Sequence, residues 1–183
     1  MGLFAVIDTE TNWHDRVMSI GTVVADSDNF AVVDQMYHVF VPEAAVGGMY
    51  DGVLFLEEAG TPILCTREQA MEQLLTRFRQ LGIRDLYAYN ASFDRNHLPE
   101  FSWLRWHDIM SLAAYRQHNR AIPRGAECCS TGRLKRGYGV EPMLRLLSGN
   151  GCYRESHNAI LDARDELEIM RLLGYGPEAY HIL

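Results

Sequence analysis

Lysine is almost missing from this 183-residue sequence: Lys135 is the one lysine among 17 basic residues, and the rest are arginine. A net positive charge is missing too. The formal charge of −7 argues against a chain that binds nucleic acid by its overall charge. One stretch departs from this. Residues 116–145 hold seven basic and two acidic residues, a local net of +5, so the remainder carries −12. Arginine forks suit phosphate recognition. Cysteine is scarce, and Cys65, Cys128, Cys129 and Cys152 form no C-x-x-C pair, which leaves little support for zinc. Cys128 and Cys129 are adjacent and no secretory start is visible, so reduced thiols in a cytoplasmic protein are expected. No long apolar run reads as a membrane segment. The N-terminal one stops at Asp8 without a basic start, unlike a signal peptide, and Val6 stands where a myristoylation motif wants Ser or Thr. Repeats and low-complexity segments are absent. An apolar content of 48% suits a single compact domain over 1–183.

What is present begins with Leu3-Phe4-Ala5-Val6-Ile7, which reads as a buried strand running into Asp8, Thr9 and Glu10. Residues two apart on a strand share a face, so Asp8 and Glu10 project side by side. Carboxylates that close raise each other's pKa. A fold that builds such a pair on a rigid element usually neutralises it with a cation, and hard oxygen ligands favour Mg²⁺ or Mn²⁺. Further strands are predicted over 17–25 and 31–41, completing an antiparallel meander, and over 85–89 and 103–109. Residues 43–65, rich in glycine, read as a long surface excursion. Thr66-Arg67-Glu68-Gln69 is a capping box that opens a helix ended by Gly82. A short helix follows Asp94, another covers 111–118, and the arginine-rich stretch after it reads as a mobile arm. Helices are predicted from Glu141-Pro142 and over about 158–173. Strands first, then strands interleaved with helices, imply a mixed sheet covered on both faces.

Three short signatures follow in chain order: Phe4-Ala5-Val6-Ile7-Asp8-Thr9-Glu10, then Tyr89-Asn90-Ala91-Ser92-Phe93-Asp94, then His157-Asn158-Ala159-Ile160-Leu161-Asp162-Ala163. Each alone is common by chance. All three in this order, each on the matching element, are specific. With them the sequence closely resembles the DEDD-type 3′–5′ exonucleases with a catalytic histidine (DEDDh), a group that includes polymerase proofreading subunits, RNase T and oligoribonuclease. The resemblance covers nearly the whole chain and extends to His107-Asp108-Ile109-Met110-Ser111-Leu112-Ala113. It implies an α/β RNase H-like fold, with a central mixed five-stranded sheet and helices on both faces. It also implies hydrolysis of phosphodiester bonds from the 3′ end of single-stranded DNA or RNA, releasing nucleoside 5′-monophosphates. The implied catalytic set is Asp8, Glu10, Asp94, His157 and Asp162. The four acids are expected to hold two divalent ions, Mg²⁺ or Mn²⁺, roughly 3.5–4 Å apart. Asp8 would bridge both. Glu10 and Asp162 would hold the ion on the side of the attacking water, and Asp94 would act on the other. His157 fits a general base, since an imidazole is mostly neutral at pH 7. It precedes the last helix and so rides on a loop.

Substrate contacts are implied at Thr11, which matches by position, and at Asn90, which either fixes its turn or touches substrate. Trp13 either stacks on a base or is an ordinary exposed or core tryptophan. Arg133 and Arg136, with Lys135, either grip the phosphate backbone or belong to a solvated loop. No membrane partner is expected. Related enzymes include homodimers, although no dimer patch is legible here. Plainer readings exist for the acids: Asp8 and Glu10 as sheet-end charges, Asp94 as a helix cap, and Asp162 on an exposed helix face beside Arg164, Asp165 and Glu166. Competing functions are an inactive module of the same fold that binds nucleic acid or protein, and an enzyme restricted to very short oligonucleotides. Met18-Ser19-Ile20-Gly21 lacks the Glu that many relatives carry before the Ile, and Tyr89 stands where many have His. Both bear on substrate preference, not on metal ligands. The sequence ends soon after the last predicted helix, which favours a stand-alone trimming enzyme over a replicative proofreading subunit.

Overall fold

The computed structural model describes residues 2–183. Six strands form one mixed sheet: β1 (Leu3–Thr11), β2 (Val17–Asp26), β3 (Val32–Phe40), β4 (Ile63–Cys65), β5 (Asp85–Ala88) and β6 (Arg105–Asp108). Their order is β4-β3-β2-β1-β5-β6. β1, β2 and β3 make the antiparallel meander. β5 runs parallel to β1, β6 to β5, and β4 to β3. The helices are α1 (Val41–Ala44), α2 (Arg67–Leu81), α3 (Ser92–His97), α4 (Met110–Ala113), α5 (Val140–Ser148) and α6 (Ala159–Leu173).

The period of two along β1 sorts the core into two layers. Ala5 and Ile7 pack with Ala70, Leu74 and Phe78 of α2. Phe4 and Val6 pack with Met143 of α5 and Ile160, Ala163 and Leu167 of α6. The α2 capping box forms as predicted, with Thr66 Oγ1 accepting from Gln69 N–H and Gln69 Oε1 accepting from Thr66 N–H. Gly82 ends that helix at a φ of 71°.

The RNase H-like α/β architecture is present, and the sheet has one strand more than the five expected. The extra strand, β4, lies inside the stretch read as a loop excursion. It is three residues long and its first two are exposed, so it carries no alternating pattern to read. The rest of 43–65 is pinned by the buried residues Leu54 and Ala59. The helix expected to reach residue 118 stops at Ala113. Buried Asn119 turns back, and its Nδ2 donates to the Ala113 carbonyl at 2.7 Å, a side-chain bond that competes with the next helical turn. The arginine-rich stretch, read as a mobile arm, is a laced excursion. Leu134 N–H donates to Ala114 O, Arg116 N–H to Gly132 O, and Cys129 N–H to Arg133 O, while Ile122 and Leu134 are buried. All four cysteines are free thiols. Among the described residues no helix is long and apolar enough to cross a membrane.

One glycine sets how closely α6 approaches the sheet. Gly21 of β2 pairs with Asp8 of β1, and a Cβ there would lie 2.2 Å from Ala159 O and 2.3 Å from Ile160 N. Both are backbone atoms at the start of α6, and neither can swing aside. Gly21→Ala is therefore expected to cost about 1–3 kcal/mol by overpacking, and to move the helix start away from β1. Urea unfolding checks the first effect. A midpoint equal to wild type would show that the contact is not tight.

Candidate active site

The alternation that turns Phe4 and Val6 toward α6 continues into Asp8 and Glu10, so both acids leave β1 on the α6 side. α6 supplies Asp162 in its first turn. Its cap, Asn158, is fully buried. Asn158 Oδ1 accepts from Leu161 N–H, and its Nδ2 donates to Tyr37 Oη at 3.0 Å and to Val53 O at 2.7 Å. This one side chain joins the start of α6 to β3 and to the 43–65 segment. α3 supplies Asp94, whose Oδ1 accepts from Thr9 Oγ1 at 2.7 Å. The turn before α3 places Asn90 at a φ of 60°, and Asp108 Oδ1 accepts its N–H at 3.0 Å. The turn that delivers Asp94 thus passes through Asn90 in the left-handed region.

His157 sits just before the α6 cap at a φ of 55°. A non-glycine residue there costs on the order of 1 kcal/mol or more and persists only where its surroundings hold it. Its ring stacks on Tyr50, with centroids 4.1 Å apart and planes 18° apart. Glu10, His157 and Asp162 each bring one potential ligand atom to a place where all three lie within 4.8 Å of one another. Ser156 Oγ donates to Asp162 Oδ1 at 3.2 Å.

Three of the four acids are buried, Asp8 is partly buried, and their charges act on one another. Glu10, Asp94 and Asp162 are 8%, 3% and 3% exposed. Burial, then Asp162 and Glu155, push the Glu10 carboxyl up to about 9. Burial, then Glu155 and Asp165, push Asp162 to about 8 against the Ser156 hydrogen bond. Burial pushes Asp94 to about 7, and the Thr9 hydrogen bond opposes it. Asp8 is raised well above the carboxylate range by burial, then by Glu166, Asp94, Asp162 and Glu10. Among the described residues no arginine or lysine ion-pairs with any of these acids. Asp8 Oδ2 is enclosed and has no hydrogen-bond partner. An oxygen-rich, uncompensated set with an orphaned buried carboxylate oxygen fits hard divalent cations.

A pH dependence follows. An acid whose folded pKa lies above its unfolded one holds its proton more tightly when folded. That advantage is full below the unfolded pKa near 4 and is lost as pH rises through the folded value. With Asp94 at about 7, Asp162 at about 8 and Glu10 at about 9, the protein in EDTA should lose stability steadily between about pH 4 and 9. One net proton over two pH units is about 2.7 kcal/mol, or about 5–10 °C in Tm for a chain of this size. Saturating Mg²⁺ or Mn²⁺ should restore that loss by binding the folded state. A Tm in EDTA that stays flat across this range would contradict the acid cluster.

The plainer reading of Asp162 on an exposed helix face is not what the fold adopts, because Asp162 and Glu166 are both buried. Sequence reading passed over Glu166, Glu155, Thr9, Tyr50 and Ser156. For Glu166 a signal existed: it lies four residues after Asp162, on the same side of the helix. The others meet the site through tertiary packing. Of the implied substrate residues, Thr11 and Trp13 line one cleft of about 330 Å³ with Asn12, Asp15, Met49 and Tyr50. Through Tyr50 this cleft adjoins His157. Trp13 is 64% exposed, which removes the core alternative. Arg136 is exposed and outside that cleft, and the Arg133 guanidinium lies over the Tyr138 ring, 5.0 Å from its centroid.

These elements define an α/β chain with an RNase H-like fold and an acidic pocket at the end of its central strand. No family model matches the sequence, and no curated protein matches it. Solved structures do match, across nearly the whole chain. The nuclease domain of 3′hExo, a DEDDh family member bound to rAMP, superposes with a TM-score of 0.67 at 16% identity, covering 99% of this chain and 96% of that one. Exonuclease X in complex with 5′ overhanging duplex DNA gives 0.56 at 22% identity, covering 96% and 95%. E. coli Exonuclease I in complex with a dA16 oligonucleotide gives 0.64 at 16% identity, and there the match covers 98% of this chain and 42% of the other. The fold is that of the DEDDh 3′–5′ exonucleases.

Proposed function

We propose that this protein is a metal-dependent 3′–5′ exonuclease that removes nucleotides from the 3′ end of single-stranded DNA or RNA. The observation that supports it most is the convergence of Asp8, Glu10, Asp94 and Asp162, with no arginine or lysine ion-paired to them among the described residues, beside a histidine held at positive φ. The structural likeness to nucleases, one bound to rAMP and others to DNA, agrees with it. Asp8, Glu10, Asp94 and Asp162 would hold two divalent ions, Mg²⁺ or Mn²⁺. When bound, such ions polarise the phosphate, activate water and stabilise the leaving oxygen.

The chain's own groups divide the remaining work. His157 accepts the proton of the attacking water as the new P–O bond forms and the bond to the 3′ oxygen breaks. Tyr50 keeps the imidazole in plane through its stack. Ser156 orients the Asp162 carboxylate, and Thr9 orients that of Asp94. The Thr11–Trp13 cleft receives the terminal nucleotide, with the exposed indole of Trp13 as a stacking surface for a base. Arg133 and Arg136 meet the phosphates further along the strand. The products are a nucleoside 5′-monophosphate and a strand one nucleotide shorter with a free 3′ hydroxyl.

The test is digestion of 5′-labelled single-stranded DNA, single-stranded RNA and dinucleotides, each with Mg²⁺, Mn²⁺ or EDTA. A ladder shortening from the 3′ end in metal and none in EDTA is the expected result. Cleavage confined to dinucleotides would restrict the substrate to very short strands. No cleavage of any of the three would leave a binding module of the same fold.

A further inference from the structure

We infer that Glu166 is a fifth carboxylate of the metal centre; this rests on the metal-binding reading above. Glu166 lies one turn along α6 from Asp162, on the side turned to the sheet. It is 1% exposed, and its Oε2 is enclosed with no hydrogen-bond partner. Asp8 of β1, the acid on which the Glu166 charge acts, also carries an enclosed, unpartnered oxygen, Oδ2. Two enclosed, orphaned carboxylate oxygens on acids that raise one another leave an unfilled demand for positive charge.

Among the described residues no arginine or lysine ion-pairs with Glu166. Beside burial, the charges of Asp94, Asp162 and Glu155 raise Glu166, and a hydrogen bond with the Tyr89 backbone opposes them. Glu166 in turn is the foremost of the neighbouring charges that raise Asp8. A core position of this kind is served equally well by glutamine or an aliphatic residue if only packing is at stake, since neither carries a charge to desolvate. A divalent cation answers both orphaned oxygens together, whether it is bonded by Glu166 or held in its field through Asp8.

The experiment is a Mn²⁺ titration of the metal-free protein by calorimetry, with Tm measured alongside, for wild type, Glu166→Gln and Asp8→Asn. Glu166→Gln keeps the shape and removes the charge. It should bind Mn²⁺ at least about ten-fold more weakly, while its metal-free Tm equals or exceeds that of wild type. Wild-type Mn²⁺ affinity in Glu166→Gln, with weakened binding in Asp8→Asn, would overturn the inference and leave the four-acid site standing. Weaker binding together with a lower metal-free Tm would assign Glu166 to packing and also overturn it. If wild type itself takes up no Mn²⁺, the metal-binding reading fails first and this inference with it. Should Glu166→Gln not fold, Glu166→Met is read by the same criteria.

Discussion

Asp8→Asn is expected to lower hydrolysis by roughly 10²–10³-fold, the scale on which a reacting centre loses one charge-stabilising group, and to leave the chain folded. Asp8 is the acid most surrounded by the others: Glu166, Asp94, Asp162 and Glu10 all act on it. It pairs with Gly21 of β2, so its backbone is held in the ladder and an isosteric amide should not move it. Removing its charge relieves repulsion within the cluster, so the metal-free Tm should rise while the gain in Tm on adding Mn²⁺ shrinks. Single-turnover cleavage and paired melts in EDTA and Mn²⁺ check both halves. More than about a tenth of wild-type turnover would show that hydrolysis occurs elsewhere, since losses at a true metal site are far larger.

His157→Ala should lower kcat by about 10²–10⁴-fold with KM little changed, the pattern of a group that acts in the transition state and not in ground-state binding. The substitution also removes the Tyr50 stack, so a purely structural effect has to be distinguished. Tyr50→Ala removes the same stack and keeps the imidazole, and it should cost much less. The pH profile gives a second distinction. Without an internal base the residual rate should climb with hydroxide concentration across the range where wild type has levelled off. Turnover near wild type in His157→Ala would remove it as the base.

Much of the scaffold was written locally. The apolar run Leu3–Ile7, the capping box at Thr66 and Gln69, and Asn158 before the apolar stripe of the last helix each specify an element from neighbouring residues alone. β4 escaped because a three-residue edge strand has no periodicity, and its partner His38–Phe40 lies some 25 positions away. The early stop of α4 escaped because it depends on Asn119 folding back onto Ala113, and an asparagine six residues on reads in sequence as an ordinary polar position. Arg116–Arg136 looked like a free arm because its composition is basic and glycine-rich, whereas Ile122 and Leu134 anchor it.

By itself the sequence determined the strand that carries Asp8 and Glu10, the helix that carries Asp162, and three signatures in an order that resembles one group of nucleases. The strand and the helix follow from patterns of two and 3.6 residues, which need no distant partner, and the signatures carry a resemblance. Only the tertiary structure decided the electrostatics of the pocket. The depth at which Asp94 and Asp162 sit, the approach of α6 over Gly21, the presence of Glu155 and Glu166 among the acids, and the stack of Tyr50 on His157 all arise from segments far apart in the chain. A charge's cost depends on what surrounds it in space, and that information is not local in a sequence.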